Sequence, residues 1–275
     1  MAVGIGESPI CDCHMHSFSR SQATTVGSYM PPRKDLSDFL QEVTSHHVAR
    51  AVVVQASVDG TDNSRLAALL RQPNPIELKG VATVELEANH VQQLNDDGVC
   101  AIRLQDKPKL AQSQLPDFMD YAGMVAPFGW HIELNTAPAS FDALEKLVAQ
   151  MPHDQILMLD HMAHVNPGNP DHVEQLCHLL SSGRVWTKLS PTRVTRLKET
   201  NNYTDLDRLI TRLMTDFPTQ CVWGSDWPHV MTPEPLPSYG AMLTYFSGLL
   251  GDAQFRDCMW RNAARLYWKE TITSD

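Results

Sequence analysis

Apolar runs rich in β-branched residues return eight times along the chain, at residues 9–13, 49–55, 78–84, 99–104, 130–134, 155–159, 185–189 and 220–223. Between them stand segments whose apolar residues recur at helical spacing, as Leu36, Phe39, Leu40 and Val43 do over 35–46. The run Ala49-Arg-Ala-Val-Val-Val-Gln55 is nearly continuous, which marks a parallel strand covered on both faces. Helical spacing over 63–71, 88–96, 115–125, 141–149, 171–180 and 203–217, with a helical tail over 239–268, completes the alternation. Eight strand–helix units without a long polar linker predict one (β/α)8 barrel domain over residues 1–275. An open doubly wound sheet alternates in the same way. Its nucleotide-binding version loses support because no Gly-x-Gly-x-x-Gly turn follows the first strand.

Composition narrows the partners. A net charge of −10 argues against nucleic acid or an anionic membrane surface. An anionic substrate therefore needs a local cluster of arginine or lysine. No run approaches the roughly 18 apolar residues of a spanning helix. The start Met1-Ala-Val-Gly-Ile-Gly-Glu lacks a basic and then apolar leader. The six cysteines are too few and too scattered for a disulfide framework. A reduced, cytoplasmic protein is expected, with an association of identical chains left open.

In a barrel of this kind chemistry sits where strands run out at the C-terminal face. His14 and His16 follow strand one, Ser57 strand two, and Arg103 ends strand four. Asn135 follows strand five, His161 strand six, Lys188 and Ser190 close strand seven, and Asp226 follows strand eight. Alternation along strand one predicts that Asp12, His14 and His16 share a face, with Cys11 and Cys13 turned away. Two imidazoles two residues apart can converge on one ion or one polarised carbonyl oxygen.

Asp12-x-His14-x-His16 together with Trp223-Gly-Ser-Asp226-Trp-Pro-His229 resembles the amidohydrolase superfamily, in its amidohydrolase-2 branch. The likeness is strongest to the lactonase group typified by 2-pyrone-4,6-dicarboxylate lactonase. Tyr29-Met-Pro-Pro, Val54-Gln-Ala-Ser57, Ala101-Ile-Arg103, Leu159-Asp160-His161 and Lys188-Leu-Ser190 fall in the family's order. The resemblance implies a hydrolase that opens a small carboxylate-bearing lactone. A sugar-acid or muconate-type lactonase, a lactone isomerase and a non-oxidative decarboxylase are the alternatives on the same site.

The resemblance also implies roles. Asp226 activates water, and its apolar surroundings are expected to raise its pKa, with neighbouring positive groups pulling it back. His14, His16 and His161 polarise the carbonyl, either directly or through one Zn²⁺ or Mn²⁺ that they would bind with Asp226. Tyr29, Ser57, Arg103, Asn135, Arg193 and His229 are expected to contact the substrate. Arg103 and Gln105 stand where a bridging Lys or Glu would support two metals, so none or one is expected. His131 should lie at the wrong rim, and Glu133 is a marginal extra ligand. His164 reads as structural. Lys107 and Lys109 replace a further arginine, and the stretches 17–32 and 228–237 are candidate lids.

Overall fold

A computed structural model describes residues 8–18, 29–107, 112–197, 201–232 and 234–272. Lys109, residues 19–28 of one candidate lid and residue 233 of the other lie outside these, as does the side chain of Lys107. Eight parallel strands form the barrel: β1 (Ile10–Met15), β2 (Val48–Val54), β3 (Glu77–Ala82), β4 (Val99–Lys107), β5 (His131–Asn135), β6 (Leu157–Leu159), β7 (Val185–Leu189) and β8 (Cys221–Trp223). Each pairs with the next in chain order, and a two-residue strand, Gln112–Ser113, folds back antiparallel on β4.

Two apolar layers result. Cys11, Cys13, Val52, Val54, Val81, Ala101, Met158 and Val222 pack together with Leu266 and Tyr267 of the C-terminal helix Asn262–Tyr267. Ile10, Met15, Ala51 and Val53 face the other way, into the larger core shared with the surrounding helices. The strands are thus covered on both sides, as their composition requires.

Strand β8 is only three residues long, so its pairing to β1 is made largely by the chain that follows it. Asp226 N–H donates to the His14 carbonyl at 2.8 Å and His16 N–H donates to the Trp227 carbonyl at 2.8 Å. Met15 and Trp227 form a parallel bridge at the same place. Asp12 adds a clamp: its Oδ1 accepts from the backbone N–H of His14 (3.1 Å) and of Ser225 (2.9 Å), and its Oδ2 accepts from Tyr239 OH at 3.1 Å.

This corrects the expected alternation. The β1–β2 register is irregular between Asp12 and Met15, and an irregularity of this kind re-aims side chains. Asp12 turns to Tyr239 in the outer layer, while Cys11 and Cys13 join the inner one. His14 departs from the row of Asp12 and meets Lys188, whose ammonium reaches the Glu133 carboxylate bonded to Tyr267 of that inner layer.

Gly224 sits where the two chain segments touch. A Cβ there would lie 2.7 Å from His14 Cβ and 3.1 Å from His14 N, closer than side chains tolerate. Gly224→Ala is expected to lose about 1–3 kcal/mol of stability in urea unfolding, with activity falling because His14 must move. Unchanged stability and turnover would show that this contact constrains neither the ring nor the site.

Candidate active site

The C-terminal mouth of the barrel draws five of the expected residues together. Asp226 is buried, and its Oδ1 stands 3.6 Å from His14 Nε2, 3.6 Å from His16 Nε2 and 3.7 Å from His161 Nε2. Its Oδ2 is paired with the Nε of Arg193, which comes from the short helix Pro191–Val194 after β7. The imidazole of His14 lies edge-on to that of His16 at 5.0 Å and tilted to that of His161 at 4.6 Å.

The loop after β6 reaches this point by an unusual path. His161, Met162, Ala163 and His164 all adopt left-handed backbone, with φ between 48° and 53°. Each such residue costs about 1–2 kcal/mol, so the turn persists only because its ends are fixed. Asp160, the residue before it, is held by Arg103 Nε at 2.8 Å and lies 3.4 Å from Lys188 Nζ and 3.3 Å from His14 Nδ1. Asp226 and His229 also have positive φ, 62° and 61°. Strain concentrated on polar residues at one mouth is the pattern of a functional site.

Beneath the histidines lies a fully buried polar chain. Lys188 Nζ donates to Glu133 Oε2 and is 3.1 Å from His14 Nδ1. Glu133 Oε1 accepts from Tyr267 OH at 2.7 Å and stands 3.4 Å from His131 Nε2. The marginal ligand role of Glu133 thus gives way to a set of internal partners. His131 stacks edge-on to Tyr267 at 5.0 Å.

The remaining expected contacts divide. Tyr29 hydrogen-bonds Ser57, and burial pushes its phenol up to about 12. Asn135 is engaged by Gln105 (3.0 Å) and by His164 Nε2 (2.9 Å), and His229 is buried beside Asp226 with its Nδ1 unpartnered among the described residues. Arg103, expected to meet substrate, has Asp160 as an internal partner through its Nε, and Arg193 has Asp226 through its own. His164 is drawn into the mouth, its ring 5.4 Å from that of His161. Its signal is its position three residues after His161, visible only once the left-handed turn is known.

The electrostatics follow from burial and neighbours. Burial alone would raise the Asp226 carboxyl, but Arg193 above all, with His161 and His14, holds it well below the usual range. The expectation of a raised value is therefore corrected. Burial opposes ionisation of Asp160 too, and Lys188, Arg103 and His14 outweigh it. Burial and the Lys188 charge lower His14 to about 4; burial also brings His229 to about 4 and drives His161 well down. These imidazoles are neutral, so the interior balances Lys188, Arg103 and Arg193 against Glu133, Asp160 and Asp226.

His14, His16 and Asp226 form one group whose ligand-type atoms could hold a metal, and His14, Asp160 and His161 form another. Two ligands about 2.1 Å from a tetrahedral zinc stand about 3.4 Å apart, close to the spacing around Asp226 Oδ1. The set is consistent with no metal or with one divalent ion, and the ring proton of His14 decides whether that residue could be a ligand.

A family model described as amidohydrolase matches residues 11–268. The chain is 28% identical to 2-pyrone-4,6-dicarboxylate hydrolase of Comamonas testosteroni, over 95% of this chain and 90% of that protein. It is 25% identical to 4-sulfomuconolactone hydrolase of Rhizobium radiobacter, over 93% and 89%. A crystal structure from Acinetobacter baumannii, described as a probable 2-pyrone-4,6-dicarboxylic acid hydrolase with citric acid bound, superposes with a TM-score of 0.80 at 22% identity, covering 94% of this chain and 99% of that one.

Acid should unfold this mouth. A histidine whose pKa falls from 6.5 when unfolded to about 4 when folded leaves the unfolded chain binding more protons between those values. Stability is then lost as pH falls through that window, by up to about 3 kcal/mol for each of His14 and His229. The depressed Asp160 and Asp226 act in the same direction at lower pH. Asp12, raised to about 6 by burial, acts against them. Urea midpoints are expected to fall between pH 6.5 and about 4, less steeply in His229→Gln; a flat profile would contradict the neutral imidazoles.

Proposed function

The chain belongs to the amidohydrolase family, and on that premise we propose that this hydrolase opens the ester bond of a small, carboxylate-bearing lactone. The observation that carries the reading is the convergence of three imidazoles on one carboxylate oxygen, Asp226 Oδ1. Ring opening needs a base for water, donors for the oxyanion and charges that fix the substrate. Asp226 takes the proton of the attacking water, and the histidine cluster faces the carbonyl whose oxygen becomes negative. The proton then passes to the ring oxygen as the ester bond breaks. A divalent ion, if held by the histidines and Asp226, would supply Lewis acidity to the same carbonyl.

Arg193 joins binding to chemistry. In the free site it pairs with Asp226 Oδ2 and weakens the carboxylate as a base. A substrate carboxylate that draws part of the guanidinium away raises the basicity of Asp226 as the complex forms. Arg103, Tyr29, Ser57, Asn135 and His229 complete the proposed binding wall, with the planar forks of the arginines suited to carboxylates. The net charge of the chain makes these local cations necessary.

The substrate pointed to by the first relative is 2-pyrone-4,6-dicarboxylate, and the second relative favours a muconolactone-type ring as the alternative. Incubation with each and identification of products tests the reading: open-chain acid supports it, whereas a rearranged lactone or released CO₂ makes the enzyme an isomerase or a decarboxylase. Asp226→Asn should lower kcat by roughly 10²–10⁴-fold with KM little changed. Turnover retained in that variant would remove Asp226 from the chemistry.

A further inference from the structure

The two histidines of β1 differ in what holds their inner ring nitrogens. His16 Nδ1 lies 2.8 Å from the Val54 carbonyl, which can only accept. The Nδ1 of His16 therefore carries a proton, and in the neutral ring Nε2 is left with its lone pair toward Asp226. His14 Nδ1 lies 3.1 Å from Lys188 Nζ. An ammonium can only donate, so this nitrogen accepts and the proton of the neutral ring is on Nε2. Among the described residues the competing acceptor for an Nδ1 proton is Asp160 Oδ1, 3.3 Å away, and it makes no hydrogen bond there. His14 Nε2 is likewise buried and unpartnered there, aimed at the centre of the mouth.

We propose that Lys188 is a positioning residue that fixes His14 as the Nε2–H tautomer, opposite to that of His16, so that His14 donates to the substrate carbonyl and His16 accepts from the attacking water. The pair is therefore a donor beside an acceptor. Two donors would leave the water without a second acceptor beside Asp226, and two acceptors would leave the oxyanion unmatched on this side. The ammonium is well placed for this role, being fully buried, anchored by Glu133 and 3.4 Å from Asp160 Oδ1. The same ring proton, while Lys188 holds it on Nε2, keeps that nitrogen from serving as a metal ligand, although His14 belongs to both candidate ligand groups.

The role in turnover rests on the lactonase reading, whereas the tautomer does not. In protein labelled with ¹⁵N-histidine, the resonance pair lost in His14→Gln is expected to show a protonated Nε2 and an accepting Nδ1. In Lys188→Met the Asp160 carboxylate becomes the only partner of Nδ1, and the assignment should reverse. Glu133→Gln combined with Lys188→Met removes both charges of the buried pair and repeats the test in a background without an orphaned carboxylate. On 2-pyrone-4,6-dicarboxylate both variants should lose about 10²–10³-fold in kcat, the cost of one oxyanion donor, with KM little changed. A protonated Nδ1 in the unaltered enzyme, or an Nε2–H that persists without Lys188, would overturn the proposal. Reversal with kcat unchanged would overturn the donor role of His14 and with it the direct-polarisation reading.

Discussion

Closure of the barrel between its first strand and the chain after its last is the constraint on which the site depends. Strand β8 is too short to close the ring alone, and two backbone bonds at 2.8 Å, one at either end of the His14–His16 segment, complete it. Asp226 both donates one of those bonds and offers the central carboxylate. The geometry of the mouth and the integrity of the ring are therefore one set of contacts. Asp12 makes the same point from outside: a carboxylate buried in the outer layer holds the backbone of His14 and Ser225 together.

Neutrality of the interior is the second organising fact. Around the mouth, Lys188, Arg103 and Arg193 stand against Glu133, Asp160 and Asp226, all buried or nearly so, and breaking one buried pair costs several kcal/mol. That cost explains why Lys188 and Glu133 face each other across the barrel, and why Asp160 gathers Arg103, Lys188 and His14. It also sets the terms for an anionic substrate. Neither arginine of the mouth stands wholly free to receive a carboxylate, so binding proceeds by sharing guanidinium groups that already have partners. Charge is then redistributed at the moment of binding, and Arg193 couples this directly to Asp226.

Much of this is legible in the chain. The eight apolar runs and the helical spacing between them predict the barrel, and the comparison with known structures agrees. His14, His16, His161 and Asp226 are visible because polar groups at strand ends stand out against apolar runs. What escapes is everything that depends on side-chain direction. Alternation misplaces the face of Asp12 because a register irregularity leaves no trace in it. The low pKa of Asp226 is hidden because Arg193 lies 33 residues away in sequence. His164 joins the mouth through four left-handed residues that no local propensity favours. Lys188 stands out at the end of its strand, but its meaning lies in which nitrogen of His14 it meets.

The most direct measurement is the rate of ring opening of 2-pyrone-4,6-dicarboxylate, followed by loss of pyrone absorbance, in enzyme treated with a strong chelator and in untreated enzyme. If His14 itself supplies the proton that polarises the carbonyl, the two rates are equal. Turnover that disappears on chelation and returns with added zinc would contradict it and make the histidines ligands instead.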